Sequence, residues 1–355
     1  MYQNLFNHNL SIMKKIKWLL FVSLFLNSSY SFSQTIPVDS IKFFTDEGLV
    51  ELTLTTDISK LQIKENVEVY QPADISVKFP DNTVISEQIK LYARGKSRRE
   101  NCNLPPIMLN FHTPTSPQLY SLSRLKLVVG CANSSANEQL LLKEFIIYKI
   151  YNLFDEKSFR ARLVRVNYKD SRNKMKPYSQ YAFLLEDVDD MAKRNGCKAS
   201  KKMTFSVEEN EDALMNKVDI FEYMIGNTDW SVPGNHNIKM IYPKNDEKAK
   251  VLPVPYDFDN SGLVDAYYAV PSEVIGTASV TQRVYRGYSR PLAEVKRTLD
   301  IFKAKKESIY SLIKGFTLLN SKTQKEMIDY LDDFYETINN EKKIKSLFVD
   351  NARKE

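Results

Sequence analysis

GNTDWSVPGNHNIKM, residues 226–240, and VLPVPYDFDNSGLVDAYYA, residues 251–269, decide how this chain is read. Polar residues gather here in a density that a packed core does not require. Asp229 follows a helix end and opens a Pro-Gly turn. Asn237 starts the strand Asn-Ile-Lys-Met-Ile-Tyr, and a second strand over 251–255 delivers Asp257. Paired as a hairpin, the two strands bring Asn237 and Asp257 together. Phosphoryl transfer calls for such a set: a carboxylate to orient a hydroxyl and take its proton, and an amide oxygen with a second carboxylate to hold a divalent metal against phosphates. Magnesium prefers hard oxygen ligands and takes only one or two carboxylates from a protein. Asp229 is then the candidate base, and Asn237 and Asp257 are the candidate ligands. Taken alone, Asp229 also suits the closing of a turn. The run Asp257 to Asp265 also has the oxygen spacing and central glycine of a calcium loop, but position twelve falls on Tyr268 where a glutamate belongs.

Working outward toward the N-terminus, residues 49–111 alternate in the manner of strands, as in Leu-Thr-Leu-Thr at 52–55 and Ile-Ser-Val-Lys-Phe at 75–79. They predict an antiparallel sheet. A strand over 124–129 leads into a helix over 137–154 with Asn137 as N-cap, and strands follow over 159–168 and 181–185. After Glu186 the pattern turns helical. One amphipathic helix over 211–225 stops at Gly226-Asn227. Two more cover 291–313 and 321–347, the last opening on a Ser321-x-x-Gln324 capping box.

The chain has 26% charged and 43% apolar residues, the balance of an ordinary folded protein. Its net charge of +6 is spread along the sequence, so nothing points to nucleic acid. Residues 13–34, MKKIKWLLFVSLFLNSSYSFSQ, read as a signal peptide: lysines, a short apolar run, and Ser31-Phe32-Ser33 before Gln34. Met13 is the expected start, because the first twelve residues do not resemble such a leader. The run is shorter than the roughly 20 residues of a spanning helix, and no transmembrane segment is expected in the mature chain. Export favours a disulfide, and Cys102 with Cys131 is the expected pair, each ending a strand-like run; Cys197 is left over. His112 and His236 lack the spacing of a zinc site.

The hairpin motifs resemble those of the spore-coat-protein-H-like (CotH) secreted kinases. That family carries an Asp, a downstream Asn opening a strand, and a Pro-x-Asp-x-Asp turn, matched by Asp229, Asn237 and Pro255-Tyr256-Asp257-Phe258-Asp259. An Arg-Gly pair before a basic loop is matched by Arg94-Gly95-Lys96-Ser97-Arg98-Arg99. The resemblance implies an α+β, two-lobed protein-kinase-like fold. Residues 35–186 would be a strand-rich N-lobe with one helix, and 187–355 a helical C-lobe carrying the loop 226–269. It also implies that Arg94 and Lys126 meet phosphate, that Glu144 pairs with Lys126, that Glu186 marks a hinge for adenine, and that Asp259 joins the ligands. ATP with Mg2+ or Mn2+ and an extracytoplasmic protein or small-molecule acceptor complete the expectation. Lys143 rivals Lys126 and Glu144 for the ion-pair assignments, and Asn235 rivals Asn237. The sequence departs from the pattern in two ways. Asn237 stands eight residues after Asp229, a longer interval than in the usual catalytic loop, and there is no Gly-x-Gly-x-x-Gly loop. An inactive kinase-like binding or scaffold protein of the cell envelope, or a calcium-stabilised surface protein, are the alternatives.

Overall fold

Strict alternation builds the first half of the molecule. In β1 (Val50–Thr56) Val50, Leu52 and Leu54 are buried and the intervening side chains face outward. The same pattern runs through β2 (Gln71–Lys78) and β4 (Ile107–Asn110), while β3 (Val84–Ala93) and β5 (Arg124–Val129) begin with it and each end on three consecutive buried residues. A computed structural model describes residues 37–63, 68–246 and 248–354; the leader read over residues 13–34 lies outside them. Short helices α1 (Ser40–Thr45), α2 (Ile58–Leu61) and α3 (Lys96–Asn101) join the early strands. Helix α4 (Ser135–Asn152) then crosses to the hairpin of β6 (Ala161–Asp170) and β7 (Tyr178–Leu185). Its N-cap is Ser134, whose hydroxyl accepts from the Asn137 amide, so the helix begins earlier than Asn137.

These seven strands close into a barrel in the order β1-β2-β3-β4-β5-β7-β6. Six neighbouring pairs are antiparallel, and β1 closes the ring by running parallel to β6, with Val50 opposite Val164 and Thr56 opposite Asp170. Leu52, Ile75, Leu91, Leu109, Leu127, Val166 and Leu184 belong to the core that fills it. Strands β5 and β7 bury their outer faces too: Val128, Phe183 and Leu185 pack with Phe145, Ile146 and Tyr148 of α4 in a second core. That core continues through the C-terminal helices as far as Ala352, across the position of Glu186.

The two-lobed, protein-kinase-like architecture is corrected by this closure. The strands form a ring of mixed pairing instead of an open antiparallel lobe, and the region after it is only partly helical. Helix α5 (Val188–Arg194) leads to β8 (Cys197–Ala199), which pairs with β9 (Ile238–Pro243), itself paired with β10 (Leu252–Pro255). Helix α6 (Asp212–Ile225), capped by Glu211, ends on Gly226 in the left-handed region. The long helices α7 (Leu292–Gly315) and α8 (Ser321–Ile338) pack against the same core, followed by α9 (Glu341–Lys345). The helix expected over 321–347 is thus interrupted at Asn339-Asn340, where the Asn340 side chain caps α9. At the start of α8 the cap is Asn320, accepting from the Thr323 amide, and Gln324 bonds the carbonyls of Lys314 and Phe316 instead of closing a box.

Candidate functional site

Strands β9 and β10 pair with Pro255 opposite Ile238, and the Tyr256 amide donates to the Asn237 carbonyl at 3.1 Å. Asn237 and Asp257 therefore leave the same end of the hairpin. Both lie in the left-handed region, at φ 51° and 67°, as does Asn235 at 45°. Asn and Asp tolerate this conformation better than other non-glycine residues. The Asp257 turn is pinned from two directions. Its amide donates to the Tyr148 hydroxyl of α4 at 2.9 Å, and the Phe258 ring is fully buried between Tyr148 and Phe221, with centroids 4.8 and 5.7 Å away.

Asp229 faces the same turn. Its Oδ2 accepts from the side-chain amides of Asn237 at 3.2 Å and Asn260 at 3.0 Å, and its Oδ1 lies 2.9 Å from His236 Nε2. The Asn237 amide also donates to the Asp229 carbonyl at 2.7 Å. Three polar side chains thus aim one carboxylate that remains 41% exposed. Neither Asn260 nor His236 carries a motif signal of its own, although both flank motif residues.

Lys126 lies on the outer face of β5, because Leu125 and Leu127 point into the barrel. Its ammonium sits 4.4 Å from the centre of the Tyr256 ring, and Lys239 of β9 lies 5.3 Å from the same ring. Burial lowers the Lys126 pKa to about 8, helped by the positive charges of Arg94 and Lys239 and opposed by Asp257. Burial and Arg94 also lower Lys239. None of these three cations has an ion-pair partner among the described residues. Sequence reasoning misses Lys239, though it stands two residues past Asn237 on a strand whose neighbours Ile238 and Met240 are buried.

Glu144 does not pair with Lys126. The charge facing it is Arg98, from α3. Burial, then Asp259 and Asp257, push Glu144 well above the usual carboxylate range, opposed by Arg98 and the Phe258 amide. Arg98 forms an ion pair with Asp259 at 3.2 Å. Asp259 is pushed up to about 6, first by burial and then by Asp257. Lys143 points elsewhere, to the Val264 carbonyl at 3.1 Å and to Glu326. Sequence spacing misses this because Glu144 is buried on α4 among second-core residues, while the Lys126 ammonium is spent on the Tyr256 ring.

Glu186 is committed to structure. Its carboxylate accepts from Arg194 Nε at 2.8 Å and from the Arg160 amide at 3.0 Å, and its own amide donates to the Arg160 carbonyl. The backbone amide that an adenine ring would accept from at this position is thus already engaged. Cys102 and Cys131 form a disulfide with their Cα atoms 4.6 Å apart, and Cys197 is free and buried. Among the described residues no three His, Cys, Asp or Glu side chains converge as a metal cage, and no helix is long and apolar enough to cross a membrane. The oxygens that suit a hard cation are the Asp257 carboxylate, the Asn237 Oδ1 and part of Asp259, a set that leaves room for water and phosphate ligands. The calcium alternative fits less well, since Asp259 is drawn to Arg98 and Asn260 to Asp229. No known family model and no curated protein matches this chain.

Proposed function

We propose that the chain is an exported phosphotransferase that passes the γ-phosphoryl group of ATP to a hydroxyl of an extracytoplasmic protein or small molecule. The observation that carries this reading is the pair Lys126 and Lys239 over the Tyr256 ring, with Arg94 near enough to lower the pKa of both, and none of the three in an ion pair among the described residues. Like charges held together in a partly buried place repel, and a polyphosphate relieves that repulsion. The likeness to CotH kinases supports the reading at the level of motif residues.

In the reaction, Asp229 orients the acceptor hydroxyl and takes its proton as the oxygen–phosphorus bond forms and the bond to the β-phosphate breaks, leaving ADP. Arg94, Lys126 and Lys239 hold the phosphate oxygens, and the amides of Asn237 and Asn260 keep Asp229 aimed. A divalent metal bound through Asp257 and Asn237, and through Asp259 only where that carboxylate gives up part of its hold on Arg98, would supply charge neutralisation on the phosphates. The disulfide and the absence of a spanning helix among the described residues are compatible with work outside the cytoplasm.

A second reading, a nucleotide-binding module without turnover, is favoured by one observation: Glu144 answers to Arg98 and leaves Lys126 without the partner that would fix its position. Labelled γ-phosphoryl transfer by purified residues 35–355, with Mg2+ or Mn2+, separates the two. The expected result is labelling that falls roughly a hundredfold or more in Asp229→Ala and Asp257→Ala. Complete absence of labelling on self or extracellular proteins overturns the phosphotransferase. A melting-temperature rise with ATP and metal, but no labelling, establishes the binding module.

A further inference from the structure

Helix α3 contributes one side chain that reaches into the site, and its anchor is covalent. Arg98 Nε donates to Cys102 Sγ at 3.3 Å, its guanidinium bonds the Val129 carbonyl at the end of β5, and its Nη1 bonds Asp259 Oδ2 at 3.2 Å. The guanidinium also lies 5.2 Å from the centre of the Tyr268 ring. Cys102 follows α3 directly, and Cys131 lies two residues past Val129. The disulfide therefore ties together the two backbone segments that hold Arg98 in place. A further hold on α3 is the bond from Arg99 to the Ala93 carbonyl. What Arg98 holds is costly to leave alone: Asp259, with side-chain exposure of 11%, and Glu144, 3% exposed, both facing the Asp257 turn. Removing one member of a buried charged set leaves the others uncompensated.

We infer that Arg98 is a positioning residue for the Asp257–Tyr268 segment and that the Cys102–Cys131 disulfide sets its position, so reduction of this bond loosens the site while the barrel stays folded. The reductant is a dithiol. One of its thiolates attacks the half-buried Cys102 sulfur and expels Cys131 as a thiolate, which takes up a proton. The second thiol of the reductant then displaces Cys102, so two electrons and two protons pass to the protein and the reductant becomes a disulfide. Loosening follows because α3 is a single short helix with no side-chain cap, and the disulfide is the covalent tie between it and the end of β5 whose Val129 carbonyl holds Arg98.

The ordering of the segment stands without the proposed reaction, and its consequence for turnover rests on that reaction. The experiment compares native protein, protein reduced with dithiothreitol, and Arg98→Met and Arg98→Lys with the disulfide intact. Amide hydrogen exchange is followed in residues 256–268 and, as a fold control, in 71–93. Exchange in 256–268 is expected to quicken at least tenfold in reduced protein and in Arg98→Met, with partial rescue by Arg98→Lys and with 71–93 unchanged. Phosphoryl transfer measured in parallel is expected to lose kcat more than KM. Unchanged exchange in 256–268 in both reduced protein and Arg98→Met overturns the inference, whatever the transfer assay shows. If reduction also exposes 71–93, the disulfide's part of the inference is overturned, and Arg98→Met decides the positioning role alone. Absence of transfer in native protein removes the phosphotransferase reading and leaves the exchange result to stand or fall by itself.

Discussion

Asp219 shows how one residue makes stability depend on pH. It sits on α6, 2% exposed, with Oδ2 lacking a hydrogen-bond partner among the described residues. Burial raises its pKa to about 7, against the opposing pull of Arg290, Arg353 and Arg286. An unfolded chain would release that proton near 4. Between these values the folded state binds more protons than the unfolded one, so the contribution is fully present below about pH 4 and is lost as pH rises toward 7. The loss is at most about 4 kcal/mol, since each tenfold change in proton affinity corresponds to about 1.4 kcal/mol. Asp219→Asn should flatten this part of the profile, read as the urea midpoint at pH 5 and pH 8. A slope equal to the native one would assign the dependence to other groups. Those include Glu222, one turn along α6, which burial raises well above the usual carboxylate range, and Asp259, raised to about 6; both act in the same direction.

At the scale of elements, helix ends separate what the sequence made legible from what it concealed. The strand over 124–129 and the stop of α6 at Gly226 coincide with expectation, because a side-chain period and a glycine free to adopt φ 66° are local properties. Caps are less legible, since several polar residues in a row can serve. Asn320 takes the role expected of Ser321, and Ser134 the one expected of Asn137. Asn320→Ala should therefore cost about 1 kcal/mol in chemical denaturation, and Ser321→Ala much less. The same limit applies inside the site. The hairpin joining Asn237 to Asp257 was readable from two short strands, whereas the ion pair of Asp259 with Arg98 depends on α3, whose tertiary placement no local pattern encodes.

For the molecule as a whole, closure was the hidden variable. Alternation assigns each side chain to a face, but it is silent about which strand edges meet, and β1 with β6 meet in parallel. The second core then binds the barrel to the C-terminal helices, with Glu186 and Arg194 as a buried pair at the join, their side chains 2% and 7% exposed. Glu186→Ala leaves that buried guanidinium with two backbone carbonyls and the exposed Glu156 carboxylate 3.9 Å away, and a loss of about 3 kcal/mol, the lower end for a broken buried pair, is expected in urea unfolding. Glu186→Gln, which keeps an acceptor, should lose less. A loss below about 1 kcal/mol for the alanine variant, the size of an exposed pair, would mean that the join does not depend on the two charges. The closing pair of strands also has a kinetic meaning. Val50 finds Val164 across on the order of a hundred intervening residues, so the contact that closes the ring is its most non-local one. For a chain crossing a membrane N-terminus first, as the proposed function requires, β1 emerges long before its partner. The barrel cannot seal until β6 has followed, and until then the edge of β1 that β6 will cover stays open.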